Sequence, residues 1–234
     1  MDALKARSIL VTGSNRGIGW ELVKQLVEKN NRPEWIFATC RYPDGPRAQV
    51  SLSLEEYSSE PSSIQAAVAR VSEHLNGAGL NLLINNAAII KSGTVESTTP
   101  EDMTEVYKTN VIGPLLMSQA FLPLLRKAAK ESPQGGMSCS KAAIVNISST
   151  HSPLTSSNLF LPQAALNMLT RCQSLAFAQD NILCVALHPG WVQTDMGNTL
   201  VTELSARGLL HTLARLSEKD SGTFVTWEGE NVPW

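Results

Sequence analysis

The sequence predicts an α/β protein built on a doubly wound parallel sheet. Short apolar segments rich in β-branched residues alternate with segments of helical periodicity along the 234 residues, as in successive β–α–β units. The segment 80–84 is almost continuously apolar, as expected for a parallel strand that is buried on both faces. A glycine-containing turn, Gly13–Gly19, separates the first strand from the first helix. We therefore expect helices on both faces of the sheet and functional residues at the carboxyl ends of its strands.

The first strand, around 9–12, leads through the glycine turn into a helix over about 17–30. Strand, turn and helix in this order direct backbone N–H groups and the positive end of the helix dipole towards an anion such as phosphate. Glycine allows the tight turn and the close approach of the anion. The spacing Gly-x-x-x-Gly-x-Gly differs from the Gly-x-Gly-x-x-Gly fingerprint, so by itself it indicates a phosphate site only moderately.

The second strand, 35–40, ends at Arg41. In a dinucleotide site the residue at this place meets the adenosine ribose: an acid suits NAD, whereas arginine accommodates the 2′-phosphate of NADP. Arg41, together with Arg16 in the glycine turn, therefore favours NADP(H). For both Arg41 and Arg16, the alternative interpretation is a solvated arginine on the surface.

The region of the third strand, 50–54, is short, and the expected sheet is correspondingly reduced there. A helix begins at Pro61, where proline is tolerated in the first turn. Asn110 lies inside the following long helix, where asparagine is locally unfavourable, so either a functional role or a solvated side chain is expected. The later elements are a helix over 101–125, a strand over 142–147, a helix from 162, a strand over 182–187, a helix over 200–216 and a strand over 222–227.

Composition narrows the classes of function. The hydrophobic content of 43% and the net charge of -2 are typical of a globular protein without a nucleic-acid footprint. No segment before the first strand resembles a signal peptide, and no apolar run is long enough to span a bilayer. The four cysteines lack metal-ligand spacing, and Cys40 and Cys184 are expected to be buried thiols. We expect one cytoplasmic domain, 1–234, with no metal, membrane or nucleic-acid partner.

Together these motifs resemble the short-chain dehydrogenase/reductase family, in its carbonyl-reductase-like or C-factor-like branch. The resemblance covers nearly the whole chain, although Ala88 stands where the family usually has glycine. It implies a Rossmann-like domain that binds NADP(H), forms a homodimer and descends from reductases of small carbonyl compounds. The matching segments, in family order, are Thr12–Gly19, Asn85-Asn86-Ala87, Asn110, Ser148-Ser149, and Pro189-Gly190 with Thr194.

The resemblance also implies roles for individual residues. Asn110 would hold a water of the proton relay, and Ser149, or else Ser148, would hydrogen-bond the substrate carbonyl. Thr194 would lie near the nicotinamide carboxamide. The residues implied in cofactor binding are Gly13, Asn15, Arg16, Gly17, Ile18, Gly19, Arg41, Asn86, Ala87, Pro189, Gly190, Val192 and Thr194.

The chain departs from the family at the catalytic acid, which is a tyrosine four residues before a lysine. Those two positions hold Leu159 and Gln163. No shift of register restores the pair, because the tyrosines lie at 42, 57 and 107 and the sole lysine after Ser149 is Lys219. Lys141 imitates the motif locally but leads into a strand. The interval from Ser149 to Gln163 is also short for the family.

The loss matters because hydride transfer to a carbonyl builds negative charge on its oxygen. A tyrosine of pKa ~10 can neutralise this charge at neutral pH only if a nearby ammonium lowers its pKa. Leucine donates no proton and glutamine carries no charge, so general acid catalysis, typically worth ~10²–10⁴-fold, is lost. We favour an inactive or severely impaired NADP(H)-binding protein. The alternatives are an active carbonyl reductase that uses Ser149 or His151 as donor, and a non-catalytic interaction protein.

Overall fold

The computed structural model describes residues 4–40, 52–55, 60–91, 93–94, 96–133, 135–149, 161–192 and 200–233. The strands in these ranges form one eight-stranded sheet, which confirms the predicted fold class. Its order is β3-β2-β1-β4-β5-β6-β7-β8, and only the β7–β8 pair is antiparallel. The strands are β1 (Ser8–Thr12), β2 (Trp35–Cys40), β3 (Leu52–Glu55), β4 (Leu82–Asn85), β5 (Ala143–Ile147), β6 (Leu183–His188), β7 (Phe224–Thr226) and β8 (Asn231–Val232).

The strand order reverses between β1 and β4. From β1 the chain moves outwards to β2 and β3, then returns to β4 on the other side of β1. The loops after these two strands therefore diverge and leave a crevice at the carboxyl edge of the sheet, where α/β proteins bind ligands. β3 has four residues, as the shortened region predicted, and β8 was not predicted.

Helices cover both faces of the sheet. Two pack on one face: α1 (Gly17–Glu28) and α6 (Thr202–Arg215). The other face carries α2 (Pro61–Leu75), α4 (Gly113–Glu131) and α5 (Leu161–Ala176). Alternate residues of each strand point to opposite faces: Ile9 and Val11 lie in the α1–α6 core, and Leu10 lies in the core beneath α2 and α4. Among the described helices, none combines the length and the apolarity that crossing a bilayer requires.

The prediction of one continuous helix over 101–125 is wrong. The structure has α3 (Pro100–Tyr107), a π-helical turn over Lys108–Ile112, and then α4. Pro114 has no N–H group to donate to the carbonyl of Asn110, and Gly113 donates instead to Lys108 five residues back. Asn110 is therefore in the wider turn and not in a regular helix, and such turns are frequent at functional sites.

The predicted burial of two cysteines is confirmed. Cys40 and Cys184 are buried thiols outside any disulfide, as is Cys139, whereas Cys172 is exposed. Burial raises the pKa of Cys184 to about 12, so this thiol stays protonated at neutral pH.

Buried amides and hydroxyls connect β4 and β5 to the helices above them. Asn85 Nδ2 donates to Asn146 Oδ1 at 2.8 Å, and Asn146 Nδ2 donates to Thr170 Oγ1 at 2.8 Å and to Gln173 Oε1 at 3.0 Å. Gln173 Nε2 donates in turn to Ser118 Oγ at 2.9 Å. Asn146 is fully buried, so it cannot exchange these partners for water.

Two main-chain carbonyls fix the direction of this network. The hydroxyl of Ser118 donates to the Pro114 carbonyl at 2.6 Å, and that of Thr170 donates to the Leu166 carbonyl at 2.9 Å. A carbonyl can only accept, so both hydroxyls must accept from the amides behind them. The orientation of each amide in the network follows from this, and Asn85 Oδ1 is left buried with no partner in the described part of the chain.

We expect Asn146→Ala to lower the free energy of unfolding by about 2–5 kcal/mol, because it leaves several buried polar groups unpaired at once. Val145→Ala is the matched control, since Val145 is the neighbouring fully buried residue and faces the apolar α1–α6 core. Urea denaturation followed by circular dichroism measures both. A loss at Asn146 no larger than the loss at Val145 would contradict a structural role for the network.

Candidate cofactor site

The glycine turn after β1 has the geometry of an anion site. Gly13 and Gly17 have φ of +64° and +54°, which favours glycine at both positions. A Cβ on Gly13 would lie 2.7 Å from the Cα of Ala87, so the turn also packs too closely for a side chain. Within the described residues 4–40, the side chain of Arg16 forms no capping hydrogen bond to the start of α1. The first turn of that helix contains no acidic residue. The N–H groups of that turn are thus open to a negatively charged ligand.

The segment after β4 holds this turn in place. The hydroxyl oxygen of Thr12 accepts from the backbone N–H groups of Asn86 at 3.0 Å and Ala87 at 2.9 Å. Asn86 Nδ2 donates to the carbonyls of Thr12 at 2.9 Å and Gly13 at 3.2 Å. A Cβ on Gly19 would overlap the Asn86 amide. Asn86 and Ala87 therefore brace the turn from the β4 side.

Asn110 joins the π-helical turn to the same segment. Its Oδ1 accepts from the N–H of Ile89 at 3.0 Å, and its Nδ2 donates to the carbonyl of Ile89 at 2.9 Å. The side chain is almost completely buried, so both ends of the amide are used in fixing the backbone. A water-holding role for Asn110 stays a prediction.

The serines after β5 face the start of α5. The N–H of Ser148 donates to the Leu187 carbonyl at 2.8 Å, which holds the residue beside β6. Ser148 Oγ lies 3.4 Å from the main-chain oxygen of Gln163. The side-chain Oε1 of Gln163 is buried and has no hydrogen-bond partner among the described residues.

A cavity of about 120 Å³ brings these elements together at the carboxyl edge of the sheet. Ten of the predicted site residues line it: Ile18, Asn86, Ala87, Asn110, Ser148, Ser149, Gln163, Pro189, Gly190 and Val192. The sequence assigned no site role to the other lining residues, although Asn85 and Ala88 belong to the segment that carries the family resemblance; these residues are Asn85, Ala88, Ile90, Pro114, Ile147, Leu166 and Trp191. Apolar type alone does not separate most of these from core residues. No side chain that lines the cavity in the described part of the chain is charged at neutral pH.

The other predicted site residues lie beside the cavity or outside the described ranges. Gly13, Asn15, Arg16, Gly17 and Gly19 form the adjacent turn and the start of α1. The residues outside the described ranges are Arg41, His151, Leu159 and Thr194.

His188, the last residue of β6, lies just behind Ser148. Burial lowers the pKa of the imidazole, and this effect is opposed by a hydrogen bond to the backbone of Ser148. The ring also packs edge-on against Phe224, with 6.5 Å between the ring centroids. The neutral imidazole thus supports the β5 end from beneath the serines.

Acidification should destabilise the protein through His188. A histidine whose pKa is lower in the folded state binds protons more readily when unfolded, so its contribution to stability is lost as the pH falls below about 6.5. We expect His188→Gln to reduce the difference in Tm between pH 7.5 and pH 5.5, measured by differential scanning fluorimetry. His211→Gln, at an exposed position of α6, is the control. An equal pH dependence in wild type and His188→Gln would contradict this role.

Comparison with known proteins agrees with the fold and identifies a family. The family model described as short chain dehydrogenase matches residues 7–205. The NADPH-bound carbonyl reductase from chicken fatty liver has a TM-score of 0.91 and 50% identity, over 99% of this chain and 100% of that chain. The carbonyl reductase Sniffer of D. melanogaster has a TM-score of 0.92 and 33% identity, over 98% and 100% of the two chains.

A curated relative extends the comparison to the full sequence. An uncharacterized oxidoreductase of Schizosaccharomyces pombe is 26% identical over 256 aligned positions, which cover 96% of each chain. The match to the family extends from just before β1 to the first turn of α6 and thus spans the glycine turn, the braced segment after β4 and the cavity. The chain therefore belongs to the short-chain dehydrogenase family.

Proposed function

We propose that this protein binds NADP(H) and that its capacity to reduce carbonyl compounds is lost or severely impaired. The observation that carries the proposal is the uncharged cavity: the described side chains around it include hydroxyls and amides but no acid or ammonium. All strands of the described chain belong to one sheet, which supports a single domain over 1–234. A cytoplasmic location stays a prediction.

The residues of the glycine turn fit a dinucleotide. The uncapped start of α1 suits the phosphates, and the crevice lies where the strand order reverses between β1 and β4, the position of dinucleotide sites in such sheets. Arg16 and Arg41 would pair with a 2′-phosphate, which distinguishes NADP(H) from NAD(H). The chicken carbonyl-reductase structure supports this choice because it contains NADPH. When bound, NADPH supplies a hydride.

What this chain lacks is a side chain that can donate a proton to the carbonyl oxygen. Gln163 lies at the cavity wall in the first turn of α5, and its neutral amide can hydrogen-bond a ligand but cannot lower the pKa of a phenol. Ser148 and Ser149 can orient a carbonyl through hydrogen bonds. Their hydroxyls are far too weak as acids to complete its reduction.

A shortened segment before α5 supports the same interpretation. The alignment with the Schizosaccharomyces pombe relative has 256 positions, more than the 234 residues of this chain, so the relative contains residues that this chain lacks. The interval between Ser149 and Gln163 is the segment that we infer to be shortened.

The test separates cofactor binding from turnover. We expect wild type to bind NADPH, measured by quenching of tryptophan fluorescence since Trp191 lines the cavity, and to reduce simple aldehydes barely or not at all. Leu159→Tyr with Gln163→Lys should recover activity to a greater extent than either single change, because the phenol needs the ammonium. The gain is at most ~10²–10⁴-fold and smaller if the hydroxyl is misplaced.

Robust wild-type turnover that His151→Ala abolishes and Leu159→Ala leaves intact would contradict the proposal. It would identify an active carbonyl reductase with a relocated acid, which is the alternative left open by the sequence. Wild type that binds neither NADPH nor NADH would instead favour an interaction protein.

We also propose a homodimer through α5. Three large apolar side chains recur on this helix every seven residues and are mostly exposed: Leu161 at 62%, Met168 at 60% and Leu175 at 66%. A spacing of seven places them on one helical face, and such a stripe is typical of a surface covered by another helix. A second copy of the chain would cover it symmetrically.

Sedimentation velocity at micromolar concentration tests the homodimer. We expect wild type to sediment as a dimer of the 25.3 kDa chain, and Met168→Glu with Leu175→Glu to sediment as a monomer because the charges cannot be buried. Leu204→Glu, at an exposed position of α6, is the matched control and should remain dimeric. A wild-type monomer would contradict the proposal.

A further inference from the structure

Trp227, the residue after β7, connects three elements around the cavity although it does not line it. Its backbone N–H donates to the His188 carbonyl at 2.8 Å, at the end of β6. Its own carbonyl accepts from Thr212 Oγ1 of α6 at 3.0 Å. The main chain of Trp227 is therefore fixed between β6 and α6.

The indole of Trp227 fills the space between two glycines. A Cβ on Gly190, which lines the cavity, would lie 3.1 Å from Trp227 Nε1 and 2.8 Å from Leu200 Cδ2. A Cβ on Gly208, within α6, would overlap Trp227 Cε3. Glycine is unfavourable within a helix, and the indole explains its presence at 208. The ring thus supports the Pro189–Gly190 wall from behind and rests on α6.

This wall belongs to one half of the proposed dinucleotide site. The phosphates would lie at the start of α1, and the adenosine would extend towards the end of β2, where Arg41 follows. The other nucleoside must then lie towards β5 and β6, where Ser148 and Gly190 line the cavity. The indole therefore lies behind the nicotinamide half and far along the sheet from the adenosine half.

We propose that Trp227 is a positioning residue, which holds the Pro189–Gly190 wall against α6 and so determines affinity for the nicotinamide half of the cofactor. The inference rests on the proposed NADP(H) binding. The segment after β7 is distant from the glycine turn, yet by this inference it affects ligand binding. It also explains why two glycines from different elements meet at one indole.

Gly208→Ala tests the proposal from α6, on the side of the indole opposite Gly190. Its new methyl group displaces the indole towards Gly190, so we expect the Kd for NADPH to rise about tenfold, as small displacements of binding groups are costly. The Kd for adenosine 2′,5′-bisphosphate, which lacks the nicotinamide half, should not change. Both constants are measured by isothermal titration calorimetry. Arg207→Ala, at the exposed neighbouring position, is the control.

A double-mutant cycle separates positioning from loss of structure. In a Trp227→Ala background the methyl group introduced at position 208 no longer meets the indole, although it still lies 2.8 Å from the backbone oxygen of residue 227. Gly208→Ala should therefore cost much less NADPH affinity in that background than in wild type. Trp227→Phe should bind NADPH more tightly than Trp227→Ala, because a ring still supports Gly190. The Tm of each variant is measured to confirm that it is folded.

The outcomes distinguish this inference from the function on which it rests. Wild type that fails to bind NADPH would overturn the proposed function and, with it, the inference. Two other outcomes, with wild type still binding NADPH, would overturn the inference alone. In one, Gly208→Ala weakens the affinity for both ligands equally. In the other, Gly208→Ala costs as much NADPH affinity in the Trp227→Ala background as in wild type.

Discussion

The hydrogen bonds that Thr12 receives determine the geometry of the entire carboxyl edge. One hydroxyl oxygen accepts from two successive N–H groups of the segment after β4, and so the loops that diverge at the strand-order reversal are joined at their roots. Ala87 is thereby pressed against Gly13, so that residue 13 must be glycine. The open N-terminus of α1, the course of the chain past Ile89 and the position of Asn110 all depend on this junction.

Among the described residues, this edge offers hydrogen-bonding groups for a ligand but no charged side chain for proton transfer. Its backbone groups and the start of α1 attract an anion, and its cavity is enclosed mainly by apolar side chains. A neutral amide at 163 preserves the shape of the wall and a capacity for hydrogen bonding without supplying a charge. Binding and chemistry thus depend on different residues in this fold, and the second can be lost while the first is kept.

The sequence predicted correctly those features in which a residue type is required by the local backbone or by burial. The three glycines of the first turn, the apolar run of β4 and the serines after β5 each indicate their element directly, and the structure places their segments together. The π-helical turn was missed because a helical period of apolar residues continues through it, although Pro114 is a local signal for it. Trp227 was missed because its role depends on Gly190 and Gly208, which are distant in sequence and are not unusual singly.

The buried network beneath the cavity gives this edge an electrical polarity. Its donors all point away from Asn85 towards the carbonyls of Pro114 and Leu166, so the aligned bonds form a dipole whose negative end is the unpaired oxygen of Asn85. The start of α1 presents a positive end at the neighbouring strand. The network dipole and the helix dipole of α1 therefore end with opposite signs at neighbouring strands.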